Sequence, residues 1–232
     1  YDQYKFFNNK ALRIAYDEIC ANTDLVYTYD PVRMGGKIEA VRFIIMEEED
    51  VQDDAPEGFY HSELTNELID ESLKDQRPIA AMVDNELYAL PHYGLSENAD
   101  VVYEMMNSTM NGRITRFMAL FKDYESVDQI GSIRSVRPTN IILAAEWNAI
   151  ICHDGGPFYI DEYLAEPCSD HFSGTFSRVN NGKSREYTEY IVSGDMDKNF
   201  SNSDVSKEYT SYYEGEHYQF ANEDNPVDLS DA

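Results

Sequence analysis

The segment RPIAAMVDN, residues 77–85, constrains the fold of this chain most strongly. Five consecutive apolar residues follow Pro78 and end at Asp84, a pattern typical of a strand buried inside a sheet. Because proline has no N–H to give to a strand ladder, we expect the strand to begin immediately after it. Downstream, ADVVYEMMN and RITRFMALF flank STMNG and predict a hairpin, and AIICHDGG predicts a strand that ends in a glycine turn.

A helix is predicted between the hairpin and the last of these strands. PTNIILAAEW contains helix formers behind Pro138, and proline is favoured in the first turn of a helix. The order strand, hairpin, helix, strand predicts an α/β fold (mixed α+β), with one sheet-based domain that carries helices. Tyrosines alternate with polar residues in REYTEYIV and in EYTSYYEGEHYQF, which predicts an aromatic face on strands, and YTSYYEGEHYQFAN predicts a strand pair. Such an aromatic face either stiffens the sheet or stacks on sugar rings.

The residues before this domain differ in character. NNKALRIAYDEICANT has helical apolar spacing, and LVYTYDPV and KIEAVRFIIM alternate like strands around RMGG, so residues 1–46 predict a helix followed by a β-hairpin. Residues 47–75 predict an acidic linker, with a short amphipathic helix in SELTNELIDESL capped by Ser62. Residues 76–222 then form the main domain, and residues 223–232 form a loose acidic tail.

The charge of the chain limits its partners. The sequence has 44 acidic and 18 basic residues, a formal net charge of −26, which disfavours nucleic acid as a partner of the whole surface. The three cysteines are too few for a disulfide framework, although a Cys152–Cys168 pair could form in an oxidising compartment. The five histidines lack HxH or HExxH spacing, so we predict no metal site and no cofactor. No apolar run is long enough to span a membrane.

Two pairs of arginines, each three residues apart, stand out against this acidic background. Arg113 and Arg116 lie in GRITRF, and Arg134 and Arg137 lie in IGSIRSVRP. On a strand the first pair would point to opposite faces. If IRSVRPTN leads into the predicted helix, the second pair can approach its N-terminus, where free N–H groups and the helix dipole favour an anion. Guanidinium groups bind carboxylates and phosphates well, so the pattern predicts a site for an anionic ligand.

A structural alternative exists for the same arginines, because each could pair with a nearby acid and stabilise the domain. The nearby acidic residues that could form such pairs are Asp84, Glu104 and Asp123. A second basic segment, SRVNNGKSREYTEY, contributes Arg178, Lys183 and Arg185 and could form another binding surface.

A histidine and two glycines follow the predicted strand AIICH. His153 and Asp154 would lie at the carboxyl end of that strand, where open α/β sheets bind ligands. Gly155 and Gly156 would let the backbone approach a bound group closely. His153 could act as a general acid or base with Asp84 as its partner, which would suit hydrolysis or transfer at an anionic centre. A hydrogen-bonded structural histidine is the alternative, and whether the chain is an enzyme stays open.

Five segments in order carry a resemblance over about residues 77–220: RPIAAMVDN, GLSENADVVYE, GRITRFMALF, IGSIRSVRP and AIICHDGG. They resemble the YerB-like lipoproteins, a bacterial family of unknown function. The resemblance implies an extracytoplasmic protein whose parent is anchored to the membrane, but it implies no reaction. The function predicted on this basis is that of a cell-envelope-associated domain that binds an anionic small molecule or envelope polymer.

A second resemblance covers residues 8–46. The pattern of EICANTDL followed by GGKIEAVRF is similar to the last helix and wing of RepB-type plasmid replication initiators, which are winged-helix proteins. It implies the alternative that this region is a cytoplasmic, DNA-binding initiator remnant fused to an unrelated domain. The residues that would contact phosphate are Lys10, Arg13, Lys37 and Arg42.

Overall fold

The computed structural model divides the chain into two compact units, Tyr1–Asp54 and Ala55–Ala232. The residues that it describes are 12, 15, 25–34, 37–47, 55–109, 112–218 and 220. In the first unit, β1 (Leu25–Met34) pairs antiparallel with β2 (Lys37–Glu47), which confirms the predicted hairpin. The predicted helix of residues 8–23 lies, except for residues 12 and 15, outside the described residues, as do the tail of residues 223–232 and most of the acid run.

The second unit is built on a five-stranded sheet with strand order β10-β9-β5-β7-β6. Its strands are β5 (Ile79–Asp84), β6 (Val101–Ser108), β7 (Ile114–Phe121), β9 (Ile150–His153) and β10 (His171–Ser173). The remaining strands of the unit's described residues are β3 (Phe59–His61), β4 (Leu68–Asp70), β8 (Gln129–Gly131), β11 (Ser177–Arg178) and β12 (Glu189–Val192). Its α-helices there are α1 (Leu95–Asn98), α2 (Pro138–Glu146), α3 (Asp161–Leu164) and α4 (Asp195–Ser201). The mixed sheet with helices confirms the predicted fold class.

Strand β5 is the middle strand of the sheet, and every one of its residues is therefore buried. It pairs antiparallel with β7, and its Asp84 stands opposite Arg116 of that strand. It pairs parallel with β9, and its Ile79 stands opposite Ile150. Alternate residues of β5 enter two hydrophobic clusters, one on each face of the sheet. The buried strand, the hairpin β6–β7, the helix α2 and the strand β9 all confirm the sequence predictions.

Different elements cover the two faces. On one face, α2 contributes Ile141 and Ala144, and Trp147 follows it into the same cluster as Met82. On the other face, β8 and β12 of a three-stranded sheet, ordered β11-β12-β8, contribute Ile130 and Ile191. Helix α4 adds Met196 to this second cluster. The layers therefore hold the carboxyl ends of β5 and β9 in fixed positions.

The amphipathic helix predicted in SELTNELIDESL is wrong. This segment joins two short strands, β3 and β4, and ends in a single 3-10 turn at Glu71–Leu73. Asn66 has a φ of 61°, a left-handed conformation that interrupts any α-helix. The Ser62 hydroxyl accepts the N–H of Leu64 in this turn, and the Leu64 side chain is buried in the core, which draws the segment inward.

The tyrosine-rich segments are also less regular than predicted. Of REYTEYIV, residues Arg185–Tyr187 form a 3-10 turn and only Glu189–Val192 form a strand. The strand pair predicted in YTSYYEGEHYQFAN is wrong for its described residues, none of which lies in a strand; a single bridge joins the preceding residue, Glu208, to Gln76. The backbone of this segment instead makes single hydrogen bonds to other segments. For example, the N–H of Tyr209 donates to the Asp75 carbonyl. The Cys152–Cys168 disulfide is not formed, since both residues are free thiols.

Candidate functional site

The site lies where the parallel strands β5 and β9 end, because a connecting segment crosses those ends. The N–H of Arg134 donates to the Met82 carbonyl of β5 at 2.8 Å. On the other side, the N–H of Asp154 donates to the Arg134 carbonyl at 3.0 Å, and the N–H of Val136 donates to the Gly155 carbonyl at 3.1 Å. Residues 134–136 are therefore hydrogen-bonded to the ends of both strands, which fixes the backbone positions of Arg134 and of the adjacent Arg137.

Asp84 is the buried anion of the site. It has no exposed surface, and its Oδ2 lies 2.8 Å from Nε of Arg134 and 3.7 Å from Nη2 of Arg116. Its Oδ1 accepts the N–H of Glu86 at 2.9 Å. One carboxylate thus faces two guanidinium groups that reach it from separate elements, β7 and the segment before α2.

A third guanidinium joins these two through neutral partners. Nη1 of Arg116 and Nη1 of Arg137 both donate to the Ser135 hydroxyl, at 3.0 and 3.2 Å. Both arginines also bind Asn107, Arg116 through its side-chain oxygen and Arg137 through its carbonyl. We call Arg116, Arg134 and Arg137 the arginine cluster. Arg137 has no carboxylate partner among the described residues, so the positive charge of the cluster is not fully balanced.

Burial changes the proton affinity of the cluster without discharging it. Desolvation lowers the pKa of Arg116 to about 10, with Asp84 acting against the shift and the other two arginines adding to it. Desolvation also lowers the pKa of Arg137. The pKa of Arg116 still lies well above neutral, so its guanidinium keeps its charge at pH 7.

The outer side of Arg134 faces solvent beside an aromatic ring. Its Nη1 lies 3.0 Å from Oε2 of Glu186, a side chain that is 53% exposed, and its guanidinium stacks 5.2 Å from the ring centre of Tyr187. The Tyr187 hydroxyl in turn donates to Glu86 at 3.1 Å. The predicted pairing of arginines with acids is therefore realised for Arg116 and Arg134 through Asp84, whereas Glu104 and Asp123 make no such pair among the described residues.

His153 does not pair with Asp84, and that prediction is wrong. Its side chain is buried, and Nδ1 lies 2.8 Å from the Gly155 carbonyl. Because a carbonyl oxygen only accepts, Nδ1 carries the hydrogen, and Nε2 is buried without a hydrogen-bond partner among the described residues. Burial lowers the pKa of His153 to about 4, so the ring is neutral at pH 7. Asp84 is instead committed to the arginines.

A second charged group surrounds Arg178. Its Nη2 contacts Oδ2 of Asp154 at 2.8 Å and also contacts Oε2 of Glu189, which is fully buried. Desolvation and the neighbouring Asp154 raise the pKa of Glu189 to about 7. For Asp154, burial acts to raise the pKa, but hydrogen bonds with Glu189 and Arg178 outweigh it and lower the pKa. The two carboxyl groups therefore share one proton near neutral pH, because ionising two adjacent carboxyl groups at once is energetically costly.

The other predicted site residues are more scattered. Arg113 lies exposed in the β6–β7 turn with a φ of 65°, outside the strand that carries Arg116. Arg185 is exposed and contributes only its carbonyl, which accepts from Arg178. Gly156 is tightly packed, because a Cβ there would lie 2.2 Å from Ile160. Lys37 and Arg42 lie on β2, but their side chains, like Lys10 and Arg13, lie outside the described residues.

Three contributors to the site escaped the sequence reasoning: Asn107, Ser135 and Glu189. Asn107 and Ser135 are short polar side chains within the segments ADVVYEMMN and IGSIRSVRP, in which the strand pattern and the arginines were the stronger signals. Glu189 occupies a polar position in a tyrosine-rich strand, where exposure was the natural expectation. The described residues contain no group of three or more His, Cys, Asp and Glu side chains that could hold a metal ion. In this part of the chain no helix is both long and apolar enough to cross a membrane.

The fold and the site define the second unit as a mixed α/β domain with charged side chains gathered where its parallel strands end. Residues 64–206 match the family described as protein of unknown function (DUF3048), N-terminal domain, and the chain therefore belongs to that family. Residues 1–45 match a second family, the WH2 domain of initiator Rep proteins. Both sequence resemblances are confirmed by these matches.

Two comparisons with known proteins agree with the family. The chain is 31% identical over 111 residues to a Bacillus subtilis (strain 168) protein named "Putative lipoprotein YerB", covering 48% of this chain and 32% of that protein. The crystal structure of YerB protein from Bacillus subtilis superimposes with a TM-score of 0.57 at 24% identity, over 63% of this chain and 51% of that chain. The structural likeness shows that the fold is shared. The chain spans about a third of the curated relative and about half of the solved one.

Proposed function

We propose that the second unit binds an anionic ligand through the arginine cluster, as an envelope-associated domain. The name of the curated relative supports the envelope association, because it describes a lipoprotein. The observation that carries the binding proposal is the imbalance of charge: Arg116 and Arg134 share the buried carboxylate of Asp84, whereas Arg137 beside them is held only by neutral groups. Ligand binding at the carboxyl ends of parallel strands is the general rule for open α/β sheets.

The cluster is also held in place before any ligand arrives. Arg116 donates to the Ser135 carbonyl at 2.6 Å, and Arg137 donates to the Asn107 carbonyl at 3.1 Å. These bonds fix the long side chains, which would otherwise lose rotamer entropy on binding an anion. A preorganised, charge-assisted hydrogen bond from arginine suits a carboxylate or a phosphate.

The proposal is tested by calorimetric titration of the intact chain with pyrophosphate and with citrate. We expect Arg137→Gln to weaken binding about tenfold or more, because a hydrogen bond to a charged group contributes about 1.5–3 kcal/mol. Lys198→Gln is the matched control, since it removes one positive charge from the exposed surface of α4 and should leave the affinity unchanged. Binding of neither anion by the unaltered chain, or equal losses in both variants, would overturn the proposal.

A second candidate function rests on the initiator match of residues 1–45, which supports contact with duplex DNA by the first unit. Such contact would use the sequence-predicted phosphate ligands Lys10, Arg13, Lys37 and Arg42. Among these, Lys37 and Arg42 lie on β2, one strand of the described hairpin. The salt dependence of binding to duplex DNA tests this candidate.

A further inference from the structure

Two exposed apolar turns flank the arginine cluster. The first, Leu87–Ala89, begins three residues after Asp84 at the end of β5, and its Tyr88 side chain is 72% exposed. The second, Phe158–Ile160, follows the glycines after β9, and its Phe158 side chain is 87% exposed. Each turn exposes two neighbouring apolar side chains, Leu87 with Tyr88 and Phe158 with Tyr159, and contiguous apolar surface of this kind is typical of binding sites.

Each turn is connected to a different arginine of the cluster. The Tyr88 ring lies 6.3 Å from the Tyr187 ring, which stacks under the guanidinium of Arg134. On the other side, Gly155, three residues before Phe158, accepts the N–H of Val136, the residue before Arg137, at 3.1 Å, and the Tyr159 ring lies 5.6 Å from the Phe158 ring. Residues 134–136 bond to the ends of both β5 and β9, and the first turn follows β5 whereas the second follows β9, so the two turns flank the segment that carries Arg134.

We call the two turns and the arginine cluster between them the strip. This inference rests on the proposed function: we propose that the ligand of the strip is an anionic glycan, a chain of sugar rings that carry carboxylate or phosphate groups. The apolar face of a sugar ring suits stacking on an exposed aromatic side chain, while its acidic groups suit the guanidinium of Arg137. Tyrosine adds a hydroxyl at the edge of its ring, which can bond to sugar hydroxyls. The surface thus offers aromatic rings and positive charges side by side, which matches the sugar rings and acidic groups of such a ligand.

The charge of the molecule favours a thin ligand over an acidic globular partner. With a net charge of −26, the chain repels a broad anionic surface, whereas a single polymer strand faces only the strip that contains the cluster. The exposed rings are also separated by the charged residues. An acidic peptide is the remaining alternative for a thin anionic chain, and the experiment distinguishes it from a glycan.

The test compares the unaltered chain with the double variant Tyr88→Ala/Phe158→Ala. The control is Phe59→Ala/Tyr212→Ala, which removes a phenylalanine and a tyrosine of 48% and 47% exposure from other segments. The probes are hexagalacturonate, a phosphorylated pentamannose, uncharged maltohexaose and a hexaglutamate peptide, each titrated by calorimetry. Pyrophosphate is titrated in parallel, because it reports on the arginine cluster alone.

We expect the site double variant to bind hexagalacturonate or phosphorylated pentamannose at least about fivefold more weakly, since each aromatic contact contributes about 0.5–1.5 kcal/mol. Which of the two glycans responds identifies carboxylate or phosphate as the acidic group. Pyrophosphate affinity should not change in either variant, and maltohexaose should bind much more weakly than the charged glycans. The control variant should behave like the unaltered chain.

Several outcomes would overturn the glycan assignment. Hexaglutamate that binds as tightly as the charged glycans and loses as much affinity in the site variant would identify a peptide site. Unchanged glycan affinity in the site variant, with pyrophosphate still bound, would refute the role of the rings and leave the proposed anion binding intact. Absence of pyrophosphate, citrate and glycan binding alike would refute the proposed function itself.

Discussion

Glu189 and His153 are both buried ionisable residues, and burial keeps each of them neutral near pH 6. For Glu189, desolvation and Asp154 raise the pKa from 4.5 to about 7. For His153, desolvation lowers the pKa from 6.5 to about 4. The neutral form of an acid is protonated and that of a base is not, so the same physical cause gives the two residues opposite effects on the pH dependence of stability.

We therefore predict opposite pH slopes for two single variants. Between pH 4.5 and 7 the folded chain holds a proton on Glu189 that the unfolded chain releases, so this residue makes the free energy of unfolding fall as pH rises. Glu189→Gln should remove that loss, and relative to the variant the unaltered chain should lose roughly 2–3 kcal/mol across this range. Chemical denaturation at half-unit pH steps measures the difference.

His153→Asn is the counterpart. Between pH 4 and 6.5 the unfolded chain protonates this residue and the folded chain does not, so His153 makes the free energy of unfolding rise with pH. The asparagine amide can still donate to the Gly155 carbonyl, and the variant should lose the rising contribution. Parallel pH profiles for the two variants would contradict the assignment of a protonated Glu189 and a neutral His153.

At the scale of single residues, the positions of the arginines could be predicted from the sequence better than the carboxylates that pair with them. Arg134 and Arg137 could be placed together because Pro138 marks the start of α2 and fixes what precedes it. Asp84 was one of three possible acid partners, but its choice of Arg116 could not be predicted, because it depends on the register between β5 and β7. Glu189 was missed since its burial follows from the packing of β12 between β8 and β11, which nothing local in the sequence indicates.

Among the elements, those with a long apolar pattern were predictable and those fixed by a few distant contacts were not. Strand β5 needs no partner to be recognised, because five apolar residues follow a proline. The turn between β3 and β4 is different: Glu63 binds Nζ of Lys122 at 2.5 Å, and the Tyr209 hydroxyl contacts the same carboxylate. These partners are 59 and 146 residues away in sequence, so local spacing suggested a helix where tertiary contacts form a turn.

Two glycines in turns provide a test of element packing. Gly94 and Gly58 have nearly equal φ values, 82° and 85°, so an alanine at either position meets the same left-handed strain. A Cβ on Gly94 would also lie 2.9 Å from the Gln129 carbonyl, where α1 begins against β8, whereas a Cβ on Gly58 would have no neighbour within 4 Å. Gly94→Ala should therefore be the more destabilising change.

We expect Gly58→Ala to lower the free energy of unfolding by about 1 kcal/mol, the cost of left-handed backbone for a residue with a Cβ. Gly94→Ala should cost about 2–3 kcal/mol, because backbone of β8 must also move. Urea denaturation of both variants measures the difference, and the slope of each transition checks that the folded state is unchanged. Equal losses would show that the contact between the Gly94 turn and β8 yields easily.

At the scale of the whole molecule, charge divides the chain unevenly. Residues 1–45, which match the initiator family, contain six acidic and six basic residues. The remaining residues therefore carry the entire net charge of −26. The part of the chain that matches the initiator family is thus electrically neutral and is covalently joined to a strongly acidic domain, and this combination governs how salt should affect any binding to DNA.

The initiator resemblance supplies four candidate phosphate contacts, which would give a slope of log affinity against log salt no steeper than about −3.6. The acidic domain repels DNA, and salt screens that repulsion, so the measured slope should be shallower still. We predict that the intact chain shows no binding to duplex DNA near 0.15 M salt and only weak binding near 0.02 M, measured by fluorescence anisotropy. Lys37→Gln/Arg42→Gln should abolish the weak binding, whereas Lys198→Gln should not. A slope of about −6 or steeper would contradict this, because it requires more phosphate contacts than these four residues provide and would make DNA the principal partner.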